Sequence, residues 1–559
     1  MIDIEQHPTI GQALFRAEQE YGPNPLIVVP ANRERSYLPE GVELSYQHVA
    51  QDVRAWMDRY ASAGYGVGKR VALFLENRPE HIIHKLALNA IGVCVVPVNP
   101  DYRAPELAYL IDHSRIELIV TLASRVKDTE EALALASHRP PVMLVGDTTA
   151  PVPVLDHPAT NDTPDSDTPS SILYTSGTTG RPKGCVLSNR YELASGAWYA
   201  TRGGLVDIRE GGERVYNPLP LFHVNASILS FFCMLLTGNA QVQSDRFHPK
   251  KWWVEVRQTR ATIVHYLGVI IPMLLDQPVT PEDRQHHVRF GFGAGVEPQL
   301  HQVFEDRFGF PLLEIWGMTE MVRALVDSTP PRQVGTRAFG RAQPGLEARV
   351  VDQADQDVAN GTPGELLIRH SAETPRQDFF SCYLDDEQAT EQAWRGGWFH
   401  TGDVVIRDDT GMLHFFDRNK HIIRRSGENI SAAEVEALLV AHPLVKTVAV
   451  LAVKDEVREE EVLACVVLNE KDGHPVDLED RAGIASCARQ LFDHCHANLA
   501  YYKAPAWMLI LDSIPTTGTQ KIQKHRIFPA GTDPRQTAGI IDFRQLKKRH
   551  AASQPPASS

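Results

Sequence analysis

Residues 171–190 read SILYTSGTTGRPKGCVLSNR, and the rest of the chain is read outward from them. Ser171–Tyr174 is a short apolar run suited to a buried strand. It runs into Thr175, Ser176, Gly177, Thr178, Thr179 and Gly180, followed by Arg181, Pro182, Lys183 and Gly184. Such a loop offers close-set backbone N–H groups, hydroxyls and a cation, the ingredients of a polyphosphate cradle. Its glycines let the backbone approach an anion and adopt positive φ. It is not a Walker loop, because Pro182 and Gly184 stand where that pattern needs Gly and then Ser or Thr. Gly, Ser and Thr alone would describe any polar turn. The ordered succession of hydroxyl, glycine and lysine carries the reading.

The chain has 559 residues, too many for one ordinary core, so two or more domains are expected. Its formal charge of −14 offers no basic excess for nonspecific nucleic-acid binding. The polar, acidic N-terminus has no apolar core, so no secretory leader is expected. The longest apolar stretches, around Ala226–Leu236 and Thr262–Leu275, fall short of a membrane span. Seven scattered cysteines without a CxxC pair predict reduced thiols in a cytoplasmic protein. His494, Cys495 and His496 are adjacent on a predicted helix and diverge, which argues against a metal site.

The first third reads as α/β. Strands are predicted at Arg70–Leu75, Val93–Val98 and Ile116–Thr121, with helices from Pro79 towards Gly92 and over Arg103–His113. This alternation implies parallel strands joined by helical crossovers. After the phosphate loop the chain is expected to resume as helix. From about Gly340, short strands at Leu346–Asp352, Gly364–Arg369 and Met412–Phe416 predict a β-rich subdomain. A boundary is expected near Asp417–His421. Residues 1–417 then form a large domain and 418–546 a small mobile α+β domain, with strands at Thr447–Val453 and Leu463–Leu468 and a helix over Asp480–Ala497. Residues 547–559 are expected to be a disordered tail.

TSGTTGRPKG resembles the phosphate loop of adenylate-forming enzymes: acyl-CoA synthetases, luciferases and peptide-synthetase adenylation domains. The remaining motifs of that family follow in order. Ile315–Met321 reads IWGMTEM. There the resemblance assigns Trp316, Gly317 and Met318 to the nucleotide site, Thr319 to the α-phosphate and Glu320 to Mg²⁺, an ion that favours carboxylate oxygen. Trp316 replaces the usual Tyr, and either ring would stack on adenine. Gly293, Ala294 and Gly295, in FGFGAGVEP, would let a flat base approach the backbone. Asp403, in GWFHTGD, resembles the carboxylate that accepts both ribose hydroxyls, and Arg418, in DRNKH, a second ribose or phosphate contact. In LPLFHVNAS, His223 matches the gate of the acyl site; Asn225, with Tyr266 and Gly268, would line the carboxylate pocket. Lys521, in IPTTGTQKIQKHR, matches the lysine that neutralises charge as a carboxylate attacks the α-phosphate. Gln520 stands before it where most relatives have Gly.

Lys420 matches the pivot of a hinge, with His421 in place of a common acidic residue. RRSGENIS, Arg424–Ser431, resembles the loop presented in the thioester-forming state, where Gly427 leaves room for a pantetheine arm and Glu428 lies beside it. GENIS, the KAP segment at Lys503–Pro505 and TQKIQK look most like stand-alone bacterial acyl-CoA synthetases, including carnitine- and crotonobetaine-CoA ligases. The resemblance implies ATP, Mg²⁺ and coenzyme A, a small carboxylic acid as substrate, no nucleic-acid partner, no membrane span, and a homodimer. Two other readings stay open: an acyl-AMP ligase that loads a carrier protein, and a nucleotide-binding protein without catalysis. The second is opposed by the presence of both Glu320 and Lys521, which binding alone does not need.

Overall fold

The computed structural model describes residues 1–146, 150–175, 182–418, 422–469, 480–515, 522, 524–529 and 531–548, with backbone only at 417, 418, 422, 429, 433 and 525. Strands Arg70–Phe74, Cys94–Pro97, Leu118–Thr121 and Val142–Leu144 lie parallel in a seven-stranded sheet. Helices Pro79–Ala90, Ala104–Ser114 and Val126–Leu135 cross between them, as the alternation of apolar runs required. Val71–Phe74, Cys94–Pro97 and Leu118–Thr121 are buried throughout and read as continuous apolar runs, the signature of parallel strands covered on both faces, whereas Val142–Leu144 at the sheet edge is partly exposed.

Around the opening stretch the chain differs from the expected strand, loop and helix. Strand Pro169–Thr175 is followed by a second strand, Lys183–Ser188, which returns antiparallel beside it with Leu173 opposite Cys185. The helix begins only at Asn189, capped by the Ser188 side chain accepting from the Tyr191 N–H. The two strands on either side of the polar loop therefore pair with each other. The interior Cys185–Leu187 run, buried on both faces, made the second strand.

A second sheet has eight strands. Its parallel centre, Arg214–Asn217, Ile263–Leu267, Phe290–Ala294 and Leu312–Trp316, ends at the site described below. The β-rich subdomain is a five-stranded antiparallel sheet that includes Glu347–Val351, Gly364–Arg369, Phe399–Arg407 and Leu413–Arg418.

The C-terminal part has a core of its own, in which Ile423, Val435, Val450, Val466, Leu491, Phe492 and Phe543 pack together. Its sheet is built on the long hairpin Val445–Asp455 and Glu459–Leu468, backed by helices Ala432–Val440 and Arg481–Asn498. His494, Cys495 and His496 lie on the second helix, with Cys495 fully buried, and no metal-binding cluster is found among the described residues. Lys547, expected in the tail, is instead buried with its ammonium on Glu461. A lysine stem provides apolar packing, so basic composition there did not signal disorder.

The two parts meet around Lys503. Its ammonium lies 2.7 Å from Glu106 and 2.9 Å from Glu434. Beside it, the Asn99 amide donates to the Tyr502 hydroxyl over 2.8 Å. No helix among the described residues is long and apolar enough to cross a membrane.

Candidate active site

A cleft of about 1500 Å³ opens where the ends of the parallel strands face the C-terminal part. Thr175, Lys183, His223, Asn225, Ala294, Gly317, Met318, Thr319, Glu320, Asp403, Gly427 and Glu428 all line it. Residues scattered from 175 to 428 thus converge on one space. Ser176, Gly177, Thr178, Thr179, Gly180, Lys420 and Lys521 lie outside the described residues, and Arg418 is described by its backbone alone, paired with Asp403 across two strands.

The turn carrying Thr319 and Glu320 leaves strand Leu312–Trp316 and is held from beneath. Tyr191 donates its hydroxyl to the carbonyls of Thr319 and Met321, at 2.7 and 3.0 Å. The Phe380 N–H donates to the Glu320 carbonyl over 2.9 Å. Glu320 is 6% exposed, and its carboxylate accepts the Tyr383 hydroxyl at 2.8 Å. Burial, together with that carboxylate, pushes the Tyr383 hydroxyl well above its ordinary range, so it stays a donor. Lys183 reaches over the Tyr383 ring, 4.8 Å from its centre, and stands 3.8 Å from Asp386. Tyr383 and Asp386 were not legible as site residues; no local motif in SCYLDDE distinguishes them.

Trp316 does not face the cleft. Its ring is 5% exposed and packs near Phe339, and its Nε1–H donates to Asp403 Oδ2 over 2.9 Å. The predicted stacking on adenine is replaced by a hold on the carboxylate. Tyr266 is likewise sealed in, with its hydroxyl on Glu314 at 2.7 Å, while its neighbours Leu267 and Val269 line the cleft. The strand's alternation decides this, since successive side chains point to opposite faces. Gly268 is a packing position: a Cβ there would lie 1.9 Å from the Gly295 carbonyl oxygen. Gly293 is similar, with a Cβ placed 2.2 Å from the Tyr266 carbonyl. Gly295 takes φ +88°, and its N–H donates to Glu314 Oε2 at 2.9 Å. Burial pushes Glu314 up to about 7, against the opposing pull of the Tyr266 hydroxyl.

From the C-terminal part, a tight hairpin enters the cleft. Arg425 and Glu428 are paired across it, and Ser426 and Gly427 form the two-residue turn with φ of +52° and +89°. The tip meets Leu267, so closely that a Cβ on Gly427 would lie 2.2 Å from its Cδ1. Glu428 lies 3.5 Å from His223 Nε2. Burial opposes its charge, yet His223 and Lys503 overcome this and hold the carboxyl below the ordinary range. Arg425 is braced from behind by Glu461, at 2.5 Å.

One cleft thus brings together Lys183, the buried carboxylate of Glu320 and the indole-held carboxylate of Asp403, with the hairpin of the C-terminal part as one of its walls. Residues 27–375 match the family model of AMP-binding enzymes, and residues 434–521 that of the AMP-binding enzyme C-terminal domain. The chain belongs to the AMP-binding enzyme family. It is 30% identical over 508 residues to a crotonobetaine/carnitine–CoA ligase of Citrobacter koseri, covering 87% of this chain and 94% of that protein. A protein of the same name from Salmonella typhimurium is 29% identical over 516 residues, with the same coverage. Among solved structures, a double mutant of the o-succinylbenzoate CoA synthetase of Bacillus subtilis, bound to a product analogue, superposes with a TM-score of 0.76 at 22% identity, covering 92% of this chain and 97% of that one. A malonyl-CoA ligase with methylmalonyl-CoA and AMP bound gives 0.69 at 25% identity, covering 88% and 96%.

Proposed function

We propose that this AMP-binding enzyme is an acyl-CoA synthetase. A carboxylate oxygen attacks the α-phosphorus of ATP, the bond to the β-phosphate oxygen breaks, and pyrophosphate leaves. The thiol sulfur of coenzyme A then attacks the acyl carbonyl carbon; the bond to the AMP oxygen breaks, giving a thioester and AMP, and the thiol proton passes to solvent. The observation that carries this reading is one cleft lined both by Lys183, Glu320 and Asp403 and by the Gly427–Glu428 hairpin tip. Names of relatives that are CoA ligases support the same chemistry.

In this reading Lys183 and the loop before it grip the β- and γ-phosphates, Thr319 contacts the α-phosphate, and Asp403 accepts the ribose hydroxyls. Lys521 supplies the cation at the reacting phosphate. Glu320, a buried carboxylate at the cleft wall, is a hard oxygen donor that fits Mg²⁺. No other cluster of metal-binding side chains surrounds it among the described residues, which suits an ion completed by phosphate oxygens and water. When bound, Mg²⁺ neutralises phosphate charge. The chain divides after residue 417, and Lys420 is the pivot between the two steps. The unpaired state of all seven cysteines supports a cytoplasmic setting, and the family resemblance supports a homodimer. Acid-dependent exchange of labelled pyrophosphate into ATP tests the first step; its absence with every acid in a broad screen would refute the proposal.

A further inference from the structure

The acyl side of the cleft carries one polar group whose direction is fixed by the fold. Asn225 begins a π-helical turn, Asn225–Ser230, and is partly exposed to the cleft. π-turns are rare and concentrate at functional sites. Behind it lies a buried polar chain whose members are oriented by backbone groups, which cannot flip.

Asn217 Oδ1 accepts the Leu219 N–H at 3.0 Å, so its Nδ2 must face the other way, towards Asn225 Oδ1 at 3.0 Å and Ser230 Oγ at 2.9 Å. The far end of the chain agrees. Gln243 Nε2 donates to the Asn217 carbonyl at 2.8 Å, which turns its Oε1 towards Gln241 Nε2, also at 2.8 Å. Gln241 Nε2 further donates to the Ala226 carbonyl, leaving Gln241 Oε1 to accept the Ser230 hydroxyl at 2.8 Å. On the other side, Tyr199 meets His265 Nε2 at 3.0 Å, and His265 Nδ1 lies 2.7 Å from Asn225 Oδ1. Burial holds His265 near 3, so it is neutral, with Tyr199 donating to Nε2 and Nδ1–H donating to Asn225. A protonated imidazole would donate there as well.

Asn225 Oδ1 is therefore taken by two inward donors, Asn217 and His265. Its Nδ2 has no partner among the described residues and is not among the buried atoms lacking one. Resting on the acyl-CoA synthetase reading, we propose that Asn225 is a specificity-determining residue that presents an amide N–H₂ to the bound acyl group. The preferred acids then carry a hydrogen-bond acceptor, an ether, carbonyl or hydroxyl oxygen, where the acyl chain passes this wall. An alkyl chain leaves the amide without its water and without a partner. A cationic group placed there meets the positive end of the amide dipole.

Matched acid pairs test this, one member an alkanoate or alkyl-substituted benzoate and the other its ether analogue, with the oxygen moved along the chain. The readout is the ratio of kcat/KM, ether over hydrocarbon, from acid-dependent pyrophosphate release with coenzyme A present. The wild type should favour the ether by about tenfold at one position. Asn225→Asp keeps an acceptor for Asn217 and His265 but turns an anionic oxygen outward, so the ratio should fall below one. Asn225→Leu should bring it near one. If either variant fails to fold, the wild-type ratios decide alone. Turnover of both series with ratios near one at every position would overturn this inference and leave the synthetase reading standing. No pyrophosphate release with any acid would overturn that reading, and this inference with it.

Discussion

Trp316 donates its indole N–H to Asp403 across 2.9 Å, tying the strand end that carries Thr319 and Glu320 to the β-rich subdomain. One carboxylate oxygen is thereby occupied and the plane of the group is oriented. Trp316→Phe keeps the buried ring near Phe339 and removes the donor. The KM for ATP should rise about tenfold, the worth of one hydrogen bond to a charged group, with little change in melting temperature. An unchanged KM would mean that Asp403 needs no such hold.

Gly427 touches Leu267 with no room for a side chain, in a backbone conformation that L-residues rarely adopt. Gly427→Ala should slow transfer of the acyl group to coenzyme A at least tenfold while acid-dependent pyrophosphate exchange persists. Adding Leu267→Ala should restore part of the loss, because it relieves the contact but not the φ strain of about 1–2 kcal/mol. Equal loss of both half-reactions in the single variant would contradict this.

Lys503 joins Glu106 and Glu434 from the two parts of the chain in a buried cluster. Lys503→Met leaves two carboxylates facing each other out of water. Breaking such a cluster costs about 3–5 kcal/mol, and under the proposed rotation of the C-terminal part this penalty falls on the arrangement in which the two parts meet. Thioester formation should therefore fall far more than pyrophosphate exchange, as single-turnover measurement of each step would reveal.

Glu314 is held protonated by burial, pushed from 4.5 to about 7, while accepting N–H and O–H groups behind the Gly295 loop. Its unfolded form ionises near the lower value. Stability should accordingly be greatest below about pH 4.5 on this account and fall by roughly 3 kcal/mol as pH rises to about 7, then level off. Glu314→Gln, which retains both an acceptor and a donor, should remove that part of the pH dependence in urea titrations. A slope identical to wild type between these values would contradict it.

Local pattern revealed much of this. Parallel strands such as Arg70–Phe74 are continuous apolar runs, and Glu320, Asp403 and Gly427 sit in motifs whose order is itself informative. What pattern could not reveal was direction and distant partnership. Trp316 turns its ring towards Asp403, and Tyr266 turns away from the cleft, because strand register sets the facing. Tyr383 reaches Glu320 only through an antiparallel edge pairing with Cys185, far away in the chain. The fixed amide of Asn225 emerges only when Asn217, His265 and Gln241 are brought together.

The central claim is that one cleft serves two successive displacements, and the most direct measurement is the dependence of AMP release on coenzyme A. With ATP, magnesium and a competent acid, the enzyme should release one pyrophosphate per active site and stop, then turn over continuously when coenzyme A is added, forming one thioester per AMP. Continuous AMP release of the same rate without coenzyme A, or AMP formed with no thioester, would contradict it.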